Sequence, residues 1–244
     1  MTALLELEGL HKAFGRVVVA DDLSFSIDSG ETLGIVGPNG AGKTSVLNLI
    51  TGGIPVDRGR ILLDGADISR LPAHARAKLG IGRTYQIPLP FAGMTVFENV
   101  LLAATYASPE QHNGTDATAI SVHALEQTQL LGQANHMAGS LPLLDRKRLE
   151  LARTLAAQPR LLLLDEIAGG LTEPEVQELT GTILALKADG LTILWIEHIV
   201  EALMSVVDRL LAMDVGRKLA EGEPREVLSR PAVRAVYLGQ EDLG

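Results

Sequence analysis

From Leu23 to Ile27 apolar and polar positions alternate, with Leu23, Phe25 and Ile27 set against Ser24 and Ser26. That period of two predicts a half-buried strand of the antiparallel kind. Thr32-Leu33-Gly34-Ile35-Val36 follows as a short strand running straight into a glycine-rich stretch. Lys43 to Ile50 then carries a helical pattern that stops at Gly52-Gly53. Ile61 to Leu63 predicts another short strand, with Asp64-Gly65 as its turn.

The stretch from Thr95 to Ala157 is rich in Ala, Leu, Gln and Glu and poor in β-branched runs, so it predicts helices, with a polar loop at Ser108 to Thr115. Past Pro159 the pattern changes. Leu161 to Leu164 is wholly apolar and ends at Asp165, as a strand covered on both faces of a parallel sheet would be. Thr172-Glu173-Pro174-Glu175 is a capping box that opens a helix. Val176, Leu179, Ile183 and Leu186 form its buried stripe, and Gly190 ends it. Thr192 to Ile196 is one more central strand. The order is strand–loop–helix units split by a helical insert, without internal repeats.

Composition narrows the function. At 244 residues the chain suits one domain, or one domain carrying an insert. A net charge of −9 argues against a nucleic-acid binder working through a broad basic face. Cysteine is absent, which excludes disulfides and thiolate metal sites. Met1 to Leu10 carries Glu6 and Glu8 and has no signal-peptide pattern. Apolar runs such as Leu161 to Leu164 are far too short to cross a bilayer. Work at a membrane would be done from its surface.

Gly37-Pro38-Asn39-Gly40-Ala41-Gly42-Lys43-Thr44, followed by Ser45, satisfies G-x-x-x-x-G-K-[ST] at every required position. Glycines let backbone N–H groups turn inward around anionic oxygens, where a Cβ would obstruct. The helix that starts near Lys43 adds its positive end. Lys43 would reach the β- and γ-phosphates of ATP and Thr44 would hold Mg²⁺. An apolar strand before the motif and a periodic helix after it separate this loop from a chance glycine-rich turn.

Asp165-Glu166 closes an apolar strand, where ligands bind in open α/β sheets. Asp165 would hold Mg²⁺ directly or through water, since that cation prefers oxygen ligands and keeps several waters. Glu166 would orient the attacking water, which in-line phosphoryl transfer needs more than covalent help. Alone, such a pair could also be a strand-end cap; the upstream phosphate loop favours the catalytic reading.

With these motifs placed, the chain resembles the ATP-binding-cassette ATPases along nearly its whole length. The resemblance implies that Gln86, in Arg83-Thr84-Tyr85-Gln86, is the Q-loop glutamine that touches Mg²⁺ and the attacking water. It implies that His198, in Trp195-Ile196-Glu197-His198, is the switch histidine that bonds the γ-phosphate. Phe14, in Lys12-Ala13-Phe14-Gly15, falls where the family stacks an aromatic on adenine, although a core role fits it equally. A narrower resemblance, to the ATP-binding subunits of branched-chain amino acid importers, rests on three segments. These are Leu79 to Gln86, Met94-Thr95-Val96-Phe97-Glu98-Asn99-Val100 and the closing Tyr237-Leu238-Gly239. Urea and lipid-transport ATPases share much of this pattern.

The family's signature, Leu-Ser-x-Gly-Gln or Glu, is eroded. Arg148-Leu149-Glu150-Leu151-Ala152-Arg153 anchors its helix, and counting back gives Leu141-Pro142-Leu143-Leu144-Asp145. Pro142 replaces the serine that donates to the opposite subunit's γ-phosphate, and Leu144 replaces the glycine, putting bulk where the phosphate should approach. Losing one charge-assisted hydrogen bond costs about 1.5–3 kcal/mol. Ile167 stands where the family usually has proline, and Thr172 where it often has Asp or Asn. Lys43, Thr44, Gln86, Asp165, Glu166 and His198 all survive, so pairing with a different cassette subunit, a heterodimer, is favoured over a homodimer.

The expectation is a P-loop NTPase (RecA-like) α/β core, residues 1–86 and 158–244, with an N-terminal antiparallel β subdomain. An inserted helical subdomain would span residues 87–157. The resemblance implies an ATPase that powers an importer of branched-chain amino acids or a related small polar solute. Its cofactors would be ATP and Mg²⁺. Its partners would be transmembrane permease subunits, the second cassette and a periplasmic or extracellular solute-binding protein, with no nucleic acid. It would work peripherally at the cytoplasmic face of the inner membrane, with a helix of the permease received beside Gln86. The alternatives are a nucleotide-dependent assembly subunit with little hydrolysis of its own, and a soluble cassette ATPase of DNA repair or translation. The single short cassette and acidic charge oppose the last. No Asn-Lys-x-Asp motif points to GTP.

Overall fold

A computed structural model describes residues 3–106 and 116–238. The polar loop expected at Ser108 to Thr115 and the Gly239 of the closing segment lie outside the described residues. The chain forms two compact units, Met1–Arg76 with Thr192–Gly244, and Ala77–Leu191. The stretch expected as a helical insert, residues 87–157, belongs to the second.

The first unit opens with a long antiparallel hairpin, β1 (Ala3–Phe14) and β2 (Val17–Asp28). The alternation at Leu23–Ile27 is its inner face, with Leu23, Phe25 and Ile27 buried. β1 carries no such clean signal, because Gly9 takes φ +53 and the register against β2 shifts between Leu7 and Leu10. A bulge of that kind breaks the period that makes a strand legible. β3 (Thr32–Val36) is buried at every residue. It leads to α1 (Lys43–Thr51), which ends at Gly52 in the left-handed conformation, φ +75. β4 (Arg58–Leu63) and β5 (Ala66–Asp67) extend the hairpin sheet in the order β2-β1-β4-β5.

The short helix α2 (Ala73–Lys78) carries Arg76, a fully buried guanidinium. It donates to the carbonyls of Leu49 at 2.6 Å, Ile50 and Leu71 at 2.9 Å, and Ser69 at 2.9 Å. Leu49 and Ile50 lie in the last turn of α1, whose carbonyls lack helical partners. A cation there also meets the negative end of the helix dipole. Burial lowers the pKa of this arginine.

The second unit contains a parallel strand pair, β6 (Ile81–Arg83) and β7 (Leu161–Asp165). Its helices are α3 (Val96–Tyr106), α4 (Ala117–Gln127), α5 (Leu143–Ala156) and α6 (Glu173–Ala188). α6 begins with the expected capping box, Glu175 accepting from the Thr172 amide at 2.8 Å. α5 buries Leu144, Leu149, Leu151, Ala152 and Leu155. Its Arg148 ties Asp145, Gln129 and Glu178 together at 3.4, 2.9 and 2.9 Å. At Gly82 in β6, a Cβ would meet Thr154 of α5 at 2.8 Å, so strand and helix approach closely.

The chain returns to the first unit through β8 (Thr192–Ile196), β9 (Arg209–Asp214) and β10 (Arg217–Gly222). β3 lies between β8 and β9 and is parallel to both, while β10 pairs with β9 antiparallel. Leu33, Ile35, Val36, Trp195, Ile196, Leu210 and Leu211 have no exposed surface. A doubly covered parallel strand reads as one apolar run, which is why β3 and β8 were legible and the edge strand β10 was not. Short helices at Val200–Met204, Pro224–Ser229 and Pro231–Leu238 complete the unit.

Candidate functional site

In the first unit the chain leaves β3 at Val36 and enters α1 at Lys43, with Gly42 at the helix N-cap in the left-handed region, φ +98. Added Cβ atoms at Gly37 and Gly42 would lie 2.3 Å from the carbonyl oxygens of Met213 and Val19. Both positions need glycine because backbone passes too close for any side chain. Gly40 is different: it has φ +84 and nothing within 4 Å, so only its dihedral asks for glycine. Ala41 donates to the Pro38 carbonyl at 3.1 Å and accepts from the Gly216 amide at 2.9 Å, which fixes the loop to the β9–β10 turn.

Lys43 is buried, and its Nζ donates to the carbonyls of Gly37 at 2.7 Å and Pro38 at 3.0 Å. The ammonium therefore sits inside the curl of its own loop, where anionic oxygens would be stronger acceptors than neutral carbonyls. Asn39 and Thr44 are exposed, and Pro38 and Ser45 half-buried.

His198 belongs to the same unit. Ile35 of β3 pairs with Ile196 of β8, and Gly37 and His198 each lie two residues further on. Both therefore leave the same end of neighbouring parallel strands. The exposed His198 donates its backbone amide at 2.9 Å to Glu197 Oε1, a carboxylate that is itself buried. Phe14 is 52% exposed at the end of β1, which removes the core alternative for it. The Lys12 ammonium lies 5.1 Å from its ring centroid.

In the second unit β7 ends at Asp165, and Glu166 follows in a left-handed conformation, φ +47, rare for a residue with a side chain. Gln86 Nε2 donates to Glu166 Oε2 at 2.7 Å. Arg83 Nη2 donates to Asp165 Oδ2 at 2.8 Å. Lys147, buried on α5, donates to the Gln86 carbonyl at 3.2 Å. The structure thus brings Gln86, Asp165 and Glu166 together and adds Arg83 and Lys147, which sequence reasoning missed. Arg83 stood within the quoted Q-loop segment, but its contact depends on strand register. Lys147 lies far along the chain and gave no local signal.

The segment expected as the eroded signature, Leu141 to Asp145, opens α5. Pro142 is the N-cap and supplies no side-chain hydrogen bond. Leu144 corrects an expectation: it is only 7% exposed and packs into its own unit instead of projecting toward an approaching phosphate. The exposed bulk is Leu143, 41% exposed, whose Cδ2 would lie 3.3 Å from a Cβ built on Gly170. On a helix, neighbouring residues point about 100° apart, so burying position 144 turns position 143 outward.

Thr44 offers a hydroxyl in the first unit, and Asp165 and Gln86 offer a carboxylate and a side-chain carbonyl in the second; each is a hard oxygen donor of the kind Mg²⁺ prefers. A lysine-bearing phosphate loop on a central parallel strand, with an acidic pair closing β7, defines a P-loop nucleotide-binding ATPase. Residues 20–169 match the ABC transporter family, and residues 217–242 match the branched-chain amino acid ATP-binding cassette transporter family. The chain belongs to the ABC transporter family of ATP-binding cassettes.

It is 35% identical to the high-affinity branched-chain amino acid transport ATP-binding protein BraF of Pseudomonas aeruginosa, over 97% of this chain and 98% of BraF. It is 36% identical to the lipopolysaccharide export system ATP-binding protein LptB of Escherichia coli (strain K12), over 98% of each. Among solved structures, it is similar to an ABC transporter cassette in its ADP conformation, with a TM-score of 0.88 and 31% identity. That match covers 98% of this chain and 100% of the other. A nucleotide-free cassette matches with a TM-score of 0.86 and 30% identity, over 97% and 99%. The fold is that of a P-loop cassette, and the protein is a nucleotide-binding ATPase that works with transmembrane permease subunits. No helix among the described residues is long and apolar enough to cross a membrane.

Proposed function

We propose that this ATPase powers an importer of branched-chain amino acids or a related small polar solute. The observation that carries the reading is the match of residues 217–242 to the branched-chain cassette family. The likeness to BraF supports it, while the equal likeness to LptB marks lipopolysaccharide export as the competing cargo. A solute-binding protein and attachment at the cytoplasmic face of the inner membrane follow from the import reading.

In this reading Lys43 and the loop amides bind the triphosphate, and Phe14 stacks on the adenine. Thr44, Asp165 and Gln86 would hold Mg²⁺, which neutralises developing charge on the phosphates when bound. Glu166, held by Gln86, orients the attacking water and accepts its proton. His198 donates to the γ-phosphate from the end of β8.

Pro142 and the exposed Leu143 favour a heterodimer. Neither residue offers a polar side chain toward a partner's nucleotide, so a second cassette with an intact signature would complete this chain's own site. The exposed Tyr85, Ile87, Leu89 and Phe91 after β6 are suited to an apolar helix of the permease.

The test is reconstitution with permeases, partner cassette and binding protein in proteoliposomes. The reading expects ATP turnover to rise when the binding protein carries leucine or valine, and Glu166→Gln to remove most of it. Turnover indifferent to amino acids but raised by lipopolysaccharide would reverse the cargo. Near-normal turnover with Glu166→Gln would favour the assembly-subunit role.

A further inference from the structure

Both acids at the end of β7 are held by side chains from one short segment. Arg83 takes Asp165 at 2.8 Å and Gln86 takes Glu166 at 2.7 Å. The second contact belongs to the catalytic reading; the first is used by nothing above. It is also the more buried, with the Arg83 and Asp165 side chains 7% and 6% exposed.

The pairing is a consequence of register. Arg83 pairs with Leu163 on the parallel strand, and Leu163 shares a face with Asp165 two residues on. The arginine is therefore aimed at the carboxylate by the sheet. Thr84 is fixed as well, its amide donating to the Leu163 carbonyl at 3.0 Å.

An arginine cannot shed its charge. A guanidinium and a divalent cation are rival counter-charges for one buried carboxylate, and two cations close together in a low-dielectric setting repel strongly. We propose that Arg83 is the resting counter-ion of Asp165, a positioning residue that must release the carboxylate before a divalent cation can be bound. The inference rests on Asp165 being the metal carboxylate. Its release is felt at the surface, because the Arg83 guanidinium lies 5.0 Å from the ring centroid of the exposed Tyr85.

The experiment uses the full chain with a non-hydrolysable ATP analogue and Mn²⁺ as the probe, free Mn²⁺ being read by electron paramagnetic resonance. Arg83→Met should tighten Mn²⁺ binding about tenfold by removing the rival charge. It should also lower the melting temperature of the nucleotide-free chain, because Asp165 loses a buried partner. Arg83→Lys, which keeps the charge, should stay near the native affinity. Arg83→Gln gives a second neutral variant if methionine does not fold, with the same direction expected. Asp165→Asn should weaken Mn²⁺ binding. If it does, while the neutral Arg83 variants leave affinity unchanged or weaker, the counter-ion role is overturned and the metal role of Asp165 stands. Unchanged affinity in Asp165→Asn overturns both.

Discussion

Gln86 donates its side-chain amide to Glu166 at 2.7 Å, joining the loop after β6 to the carboxylate after β7. Lys147 on the signature helix grips the same loop through the Gln86 carbonyl. Glu166, proposed as the catalytic carboxylate, the Gln86 loop and α5 are thus linked by side chains within one compact unit. Gln86→Glu would set a second negative charge against Glu166. Turnover of the assembled transporter should fall by about 100-fold, the usual worth of a positioned general base. Nucleotide binding should change little, which equilibrium titration would check.

The phosphate loop predicts a contrast between glycines. Gly37→Ala would drive a Cβ to 2.3 Å from the Met213 carbonyl, so backbone must shift. Gly40→Ala meets nothing within 4 Å and carries only the strain of φ +84, about 1 kcal/mol. Thermal denaturation should show a large loss of stability for Gly37→Ala and a small one for Gly40→Ala. An equally small loss for Gly37→Ala would mean that the backbone there yields to a Cβ and that crowding does not select this glycine.

Arg76 makes a separate prediction about stability. Its removal takes the guanidinium donor from the buried end carbonyls of α1, of which Leu49 keeps only the long contact from the Gly52 amide at 3.3 Å. Each such loss costs about 1–3 kcal/mol, so Arg76→Ala should lose on the order of 3 kcal/mol or more. For a chain of this size that is a fall of roughly 6–12 °C in melting temperature. Lysine, with one compact charge, should rescue only part of it.

Glu150 on α5 carries a pKa raised by burial, an effect that Arg153 at 3.2 Å partly opposes. The folded protein therefore holds this proton more tightly than the unfolded chain does. Its stabilising contribution is fully present below the ordinary glutamate range and is lost as pH rises through the raised value. Glu150→Gln should gain stability relative to the native chain at pH 7 and not at pH 4, measured by denaturant titration at both.

Legibility followed burial and local pattern. β3, β7 and β8 showed as apolar runs because both faces are covered, and α6 announced itself through Thr172 and Glu175. β1 was hidden by the bulge at Gly9, and β10 by exposed Arg217 and Lys218 on an edge strand. The phosphate loop is contiguous, so spacing alone exposed it. The Arg83–Asp165 contact spans residues 82 apart in sequence and needed the β6–β7 register. Leu144 was misjudged because the motif's spacing says nothing about which side of α5 faces the core.

The central claim is that the loop bearing Lys43 grips the triphosphate. Equilibrium binding of a fluorescent ATP analogue to the purified chain, native against Lys43→Ala, tests it most directly. Losing the charge-assisted contacts of one ammonium, about 1.5–3 kcal/mol, predicts affinity weaker by roughly 10- to 100-fold with the fold intact by circular dichroism. Equal affinity in the two proteins would contradict the account.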